Sequence, residues 1–205
     1  MLLALAGFIL AAVFLFLSSQ ALLSRLFRLL PLNLLFFILL PGIFLHEMSH
    51  ILMAEILGIR TGELKLRPEL KDNHLSLGSA QIGQTDPFRM TLIGLAPLIT
   101  GATVLWLLIK FNPGGWWLIL FGYLMFAVSN TLFSSPSDLQ SAGVPVILIL
   151  LLLGILQLTR LSFPIALLPY LANFFSSLAT VFTYTLIINL VLLLPLKLLL
   201  SHHSN

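Results

Sequence analysis

His46 and His50 stand four residues apart with Glu47 directly after the first, in the run His46-Glu47-Met48-Ser49-His50. Residues four apart on a helix share one face with Cβ atoms roughly 5 to 6 Å apart, close enough for two imidazoles to bind one metal ion. Glu47 then lies beside that ion, where a base for activating water is needed. A single histidine in an apolar segment is ordinarily a core hydrogen-bonding group. Two at ligand spacing with an intervening glutamate, all inside an apolar run, point instead to metal-assisted hydrolysis.

The segments that must position these residues belong in a membrane. Of the 205 residues 59% are hydrophobic and 8% charged, against roughly 25% charged in soluble domains. Nearly uncharged stretches recur, each close to the roughly 20 residues that a helix needs to cross hydrocarbon. There is no cysteine, which excludes disulfides and thiolate metal sites. The net charge of +3 is thinly spread, with no basic cluster of the kind that binds nucleic acid.

The pattern predicts an all-α membrane protein, a single-domain polytopic bundle of about six transmembrane helices. The spans fall at about 1–17, 31–58, 90–109, 116–133, 144–158 and 170–194, with a polar loop at 59–89. The first is read as a retained helix and not a cleaved signal, since no positive residue precedes it. Pro41 and Gly42 are expected to bend or interrupt the second span one turn before His46. Trp116 and Trp117 stand where interfacial anchors belong. Between Arg160 and Lys197 one span is assigned, with two as the alternative. Nine of the seventeen charged residues fall between Arg60 and Arg89, so that loop should meet water. Alternation at Leu64 and Leu66, then Leu75 and Leu77, predicts a short interfacial β-hairpin within it. The hairpin is either a polar connector or an edge for binding an extended substrate. Asp86 before Pro87 reads as the N-cap and first turn of the third helix.

Outside that loop the acidic residues are Glu47, Glu55 and Asp138. An Asp at mid-bilayer costs roughly 2.5 to 3.5 kcal/mol on insertion scales, so such residues face a partner, a cavity or an ion. Glu55, nine positions past His46, lies about 180° round the helix and is read as interfacial. A catalytic zinc needs a third protein ligand and an open fourth position. Asp138 is the candidate, because the second and fourth spans run in the same direction and Ser134, Ser135, Pro136 and Ser137 could unwind the chain and carry it inward. Its alternative is a loop Asp capping the next segment. Asp86, on the same membrane side, is the second choice, with its capping role already explaining it.

These residues resemble the site-2 proteases, zinc enzymes that cut transmembrane substrates within the bilayer. The likeness rests on His46 to His50 with Ala54 and Gly58 following at the family's offsets, and on Asn130 to Asp138 with Pro136 two before the Asp. Gly94 to Leu98 is similar, more weakly, to a Gly-Pro element of that family. The chain departs from the pattern at Phe133, Ser137 and Leu139. The resemblance is to a small member without an added substrate-filtering domain, and covers the central three spans. It implies that Asn130 contacts the substrate backbone or the developing oxyanion.

The expected activity is a zinc-dependent intramembrane endopeptidase with His46, His50 and Asp138 holding Zn²⁺ and Glu47 as proton shuttle. Its partners would be a transmembrane protein substrate and the bilayer. A metal or ion transporter and a non-catalytic metal-binding scaffold are the alternatives. Arg60, Lys65, Arg67, Lys71 and Arg89 on the hairpin side outnumber Arg25, Arg28, Lys110 and Arg160 on the other. This places the hairpin and both termini in the cytoplasm of a multi-pass cell-membrane protein.

Overall fold

A computed structural model of the chain describes residues 2–66, 69–71, 74–76, 78–111, 114–132 and 168–202. Asp138 and the expected span at 144–158 lie outside the described residues. Five helices are described: α1 (Leu2–Leu29), α2 (Leu32–Ile56), α3 (Pro87–Lys110), α4 (Trp117–Thr131) and α5 (Leu168–His202). Four of them, α1, α2, α3 and α5, are long and apolar enough to cross a membrane. At about 1.5 Å per residue the described α4 extends about 22 Å, and it counts as a shorter apolar helix among the described residues. The outward residues are large and apolar, among them Leu3, Phe37, Ile56, Ile119 and Leu194, as lipid-facing surfaces require.

The sequence boundaries shift for physical reasons. The first span does not end at residue 17, because α1 runs on through Ser18 and Ser19 to Leu29. Those serines are buried, not interfacial. Ser18 Oγ donates to the Leu15 carbonyl (2.9 Å) and Ser19 Oγ to Asn130 Oδ1 (2.8 Å). Nδ2 of Asn189, on α5, donates to Asn130 Oδ1 (2.8 Å) and also meets Ser18 Oγ at 3.1 Å. A polar knot thus joins α1, α4 and α5 where no water competes. Interhelical hydrogen bonds in membranes contribute about 0.6 kcal/mol on average and up to about 1.7. Asn189→Ala should therefore lower stability by about 1 kcal/mol, read as reversible unfolding in bicelles. An unchanged midpoint would show the knot to be energetically idle.

Pro41 does not interrupt α2, which is continuous through it. Gly42 has a packing role instead: a Cβ there would fall on Thr131 Oγ1 and the Ala127 carbonyl oxygen of α4, and 2.8 Å from the Ala127 carbonyl carbon. The two backbones touch at this point. α2 ends as Gly58 suggested, with φ of 72°, Gly58 N–H donating to the Glu55 carbonyl (2.9 Å) and Ile59 N–H to Ala54 (2.8 Å). This left-handed cap satisfies two carbonyls at the helix end. α3 starts at Pro87, as the Asp86-Pro87 pair predicts, with Asp86 as N-cap accepting from the Arg89 N–H (3.0 Å). That hydrogen bond, reinforced by the Arg89 charge, holds the Asp86 carboxyl below its ordinary range. A single helix, α5, covers the expected span at 170–194 and passes through Pro195.

Two clusters form the core. Ala11, Leu15, Leu105, Val128, Leu132, Leu178, Val181 and Phe182 join α1, α3, α4 and α5, while Leu35, Leu39 and Ile43 line α2. The loop after α2 holds four strands, β1 (Thr61–Lys65), β2 (Glu69–Lys71), β3 (His74–Ser76) and β4 (Ser79–Ile82). The expected single hairpin is in fact two nested antiparallel pairs, β2 with β3 inside β1 with β4. Leu64 opposes Ala80, and the register shifts between Thr61 and Leu64. The outer pair turns back along α2. Leu66 packs against the Leu35, Leu39 and Ile43 cluster, and Gly78 lies against Glu47 and Ile43. Glu47 precedes Gly58 by eleven residues, about 16 Å of helix, so this part of the loop reaches well past the helix end.

Candidate metal centre

The inward face of α2 runs Leu35, Leu39, Gly42, Ile43, His46, Glu47, Ser49, His50 and Ala54, a spacing of three to four residues that keeps one stripe toward the bundle. α2 sits between α3 and α4. His46, Glu47 and His50 are 5%, 8% and 8% exposed, so all three polar groups are withdrawn from the surroundings of the bundle. The imidazole centroids of His46 and His50 are 5.0 Å apart with planes at 80°. Ser49, on the same turn, donates to the Leu45 carbonyl (2.6 Å) and adds no free group to the site.

His50 is anchored across the helix pair. Its Nδ1 lies 2.9 Å from the carbonyl oxygen of Ile93 on α3. A carbonyl only accepts, so Nδ1 is the donor in this contact. An outer hydrogen bond of this kind fixes the tautomer and ring orientation of a metal-binding histidine. Glu47 is covered from the other side. A Cβ on Gly78 would be 3.0 Å from Glu47 Cγ and 3.2 Å from its Oε1, so the chain entering β4 passes close over this carboxylate and a larger residue would make the side chain give by a few tenths of an ångström.

The remaining candidates are distributed as follows. Glu55 is exposed, and Thr61 Oγ1 donates to its Oε1 at 3.4 Å, as an interfacial residue should. Asp86 is an exposed N-cap paired with Arg89 (3.3 Å); seven residues, about 10 Å of helix, separate it from Ile93. Asn130 is 2% exposed; its Oδ1 accepts from Ser19 and Asn189 and its Nδ2 donates to the Phe126 carbonyl (3.0 Å). Its carbonyl group is thus engaged in the polar knot. Among the described residues no three His, Cys, Asp or Glu side chains form a set able to hold a metal ion. His46 and His50 are the two imidazoles brought together.

Sequence reasoning missed the Ile93 carbonyl and Gly78. Backbone atoms leave no signature of their own, although a proline, Pro97, stands four residues after Ile93. Fold and side chains together define a helical membrane protein with a buried His-Glu-x-x-His turn on the helix packed against α3 and α4. No protein-family model, curated protein or solved structure matches the chain.

Proposed function

We propose that the chain is a zinc-dependent intramembrane endopeptidase of the site-2 protease type, cutting peptide bonds in or near transmembrane segments of membrane-protein substrates. The observation that carries the reading is the buried pair His46 and His50 on one helical turn, with His50 Nδ1 2.9 Å from the Ile93 carbonyl oxygen and Glu47 one residue from His46. The donor chemistry suits zinc, which takes imidazole nitrogen and carboxylate oxygen in a tetrahedral site.

Asp138 supplies the third ligand. Gly42 touches Ala127 and Thr131, so the chain leaves α4 beside α2, one turn before His46. Asp138 lies seven residues past Thr131 and His50 eight past Gly42 in the sequence. Bound zinc supplies Lewis-acid activation of water and of the scissile carbonyl. Glu47 accepts the water proton and delivers it to the leaving amine. Burial of the site keeps both transfers local. The strand pair beside Glu47 offers an edge to which an extended substrate segment adds, exposing carbonyls that a helical substrate hides.

Protein purified into nanodiscs should carry about one zinc per chain, measured by elemental analysis. His46→Ala, His50→Ala and Asp138→Ala should each lose it. Cleavage of a single-span substrate should stop with a chelator and return with Zn²⁺. A parent protein devoid of zinc, or three variants that all retain it, would end this reading.

A further inference from the structure

The acceptor that holds His50 is a backbone carbonyl in the middle of α3, and such a group is ordinarily occupied. In a helix the carbonyl of residue i accepts from the N–H of residue i+4. The donor due to the Ile93 carbonyl is residue 97, and residue 97 is a proline with no N–H. Ile93 is 2% exposed and Pro97 is also buried, so water is not a ready substitute. A buried carbonyl left without a donor costs free energy comparable to a lost hydrogen bond. His50 Nδ1, 2.9 Å away on the neighbouring helix, meets that need.

We infer that Pro97 is a positioning residue: by withholding the helical donor from the Ile93 carbonyl, it reserves that oxygen for His50 and so sets which imidazole nitrogen faces the metal. The inference rests on the zinc reading above and names a residue that touches neither metal nor substrate. A helix interior proline is costly, about 3 kcal/mol in an exposed helix. Its location four residues after the carbonyl that meets His50 Nδ1 gives that cost a purpose. Pro195 in α5 and Pro41 in α2 are interior to helices as well, which provides a comparison within the same chain.

The donor hypothesis separates from simple packing through backbone chemistry. Pro97→Ala restores an N–H that competes for the Ile93 oxygen. Replacing Pro97 by lactate, the α-hydroxy analogue of alanine introduced by nonsense suppression, gives the same side chain without the N–H. Zinc affinity is measured by competition with a chromogenic chelator in detergent. Pro97→Ala should weaken zinc binding about 10- to 100-fold, the usual consequence of losing an outer-shell partner. The lactate variant should bind as the parent does, and Pro195→Ala should leave affinity unchanged. In metal-free protein, ¹⁵N resonances of His50 should report the Nδ1–H form in the parent and lactate variants and a mixture of tautomers in Pro97→Ala. Equal weakening by alanine and lactate, or by neither, overturns the inference. Should Pro97→Ala fail to fold, the lactate variant alone decides: parent-like affinity and tautomer support the inference, and loss of either overturns it. If His50→Ala binds zinc like the parent, the zinc reading itself fails, and the tautomer measurement still tests the role of Pro97.

Discussion

Glu47→Gln is expected to lower the rate of peptide cleavage about 10²- to 10⁴-fold, the usual contribution of a general acid–base group, while the protein still binds zinc. The amide keeps the size of the carboxylate, so the 8%-exposed pocket under Gly78 stays filled. It cannot accept a proton from water, and that is the step removed. Zinc stays because His46 and His50 are unaltered. The pair of readouts also separates the readings of the site. A hydrolase loses turnover with metal in place, whereas a transporter or a metal-clamped scaffold needs no proton shuttle and should keep most of its function. Unchanged cleavage by Glu47→Gln would remove Glu47 from the chemistry. Zinc loss together with cleavage loss would make it a ligand instead.

The largest effect on folding is expected at Gly42. Valine there would drive its Cβ into Thr131 Oγ1 and the Ala127 carbonyl, and a helix backbone has no rotamer through which to retreat. Overpacking ordinarily costs about 1 to 3 kcal/mol, occasionally more, and a backbone obstacle belongs at the upper end. The helices would have to separate next to His46, so Gly42→Val should both lower the yield of folded protein and weaken zinc binding. Gly122, in α4, is the control, because a Cβ on it would meet nothing within 4 Å and valine there should be tolerated. Folded yield by size-exclusion in detergent and the thermal midpoint make the comparison. Equal behaviour of Gly42→Val and Gly122→Val would mean that the close approach of α2 and α4 is not what stabilises this part of the bundle.

Much of the bundle was legible because a crossing helix needs an apolar run of roughly 20 residues, which composition alone reveals. α2 and α3 lie close to where apolar runs bounded by Gly58, Asp86 and Lys110 put them, and Trp116 and Trp117 stack at the start of α4 with centroids 4.3 Å apart. The misreadings were of one kind. Ser18 and Ser19 looked like the end of a span because polar residues beside an apolar run usually mark an interface. They are interior because Asn130 and Asn189, more than one hundred residues away in sequence, supply their partners. The hydrogen-bond partners of Asn130, Ser19 and Asn189, were likewise invisible until the helices pack. The polar loop read as solvent-exposed, yet part of it folds back on α2, where Gly78 fits over Glu47.

His46, Glu47 and His50 share a helical turn by spacing alone, since the rise and rotation of a helix are local properties that any sequence of suitable propensity inherits. The apolar character of the chain likewise follows from counting residues, because hydrocarbon discriminates by composition. Which proton His50 carries, which strand covers Glu47 and which backbones touch at Gly42 were decided only in three dimensions. Those outcomes depend on carbonyls, missing side chains and distances between helices far apart in the chain, and local periodicity holds no record of them.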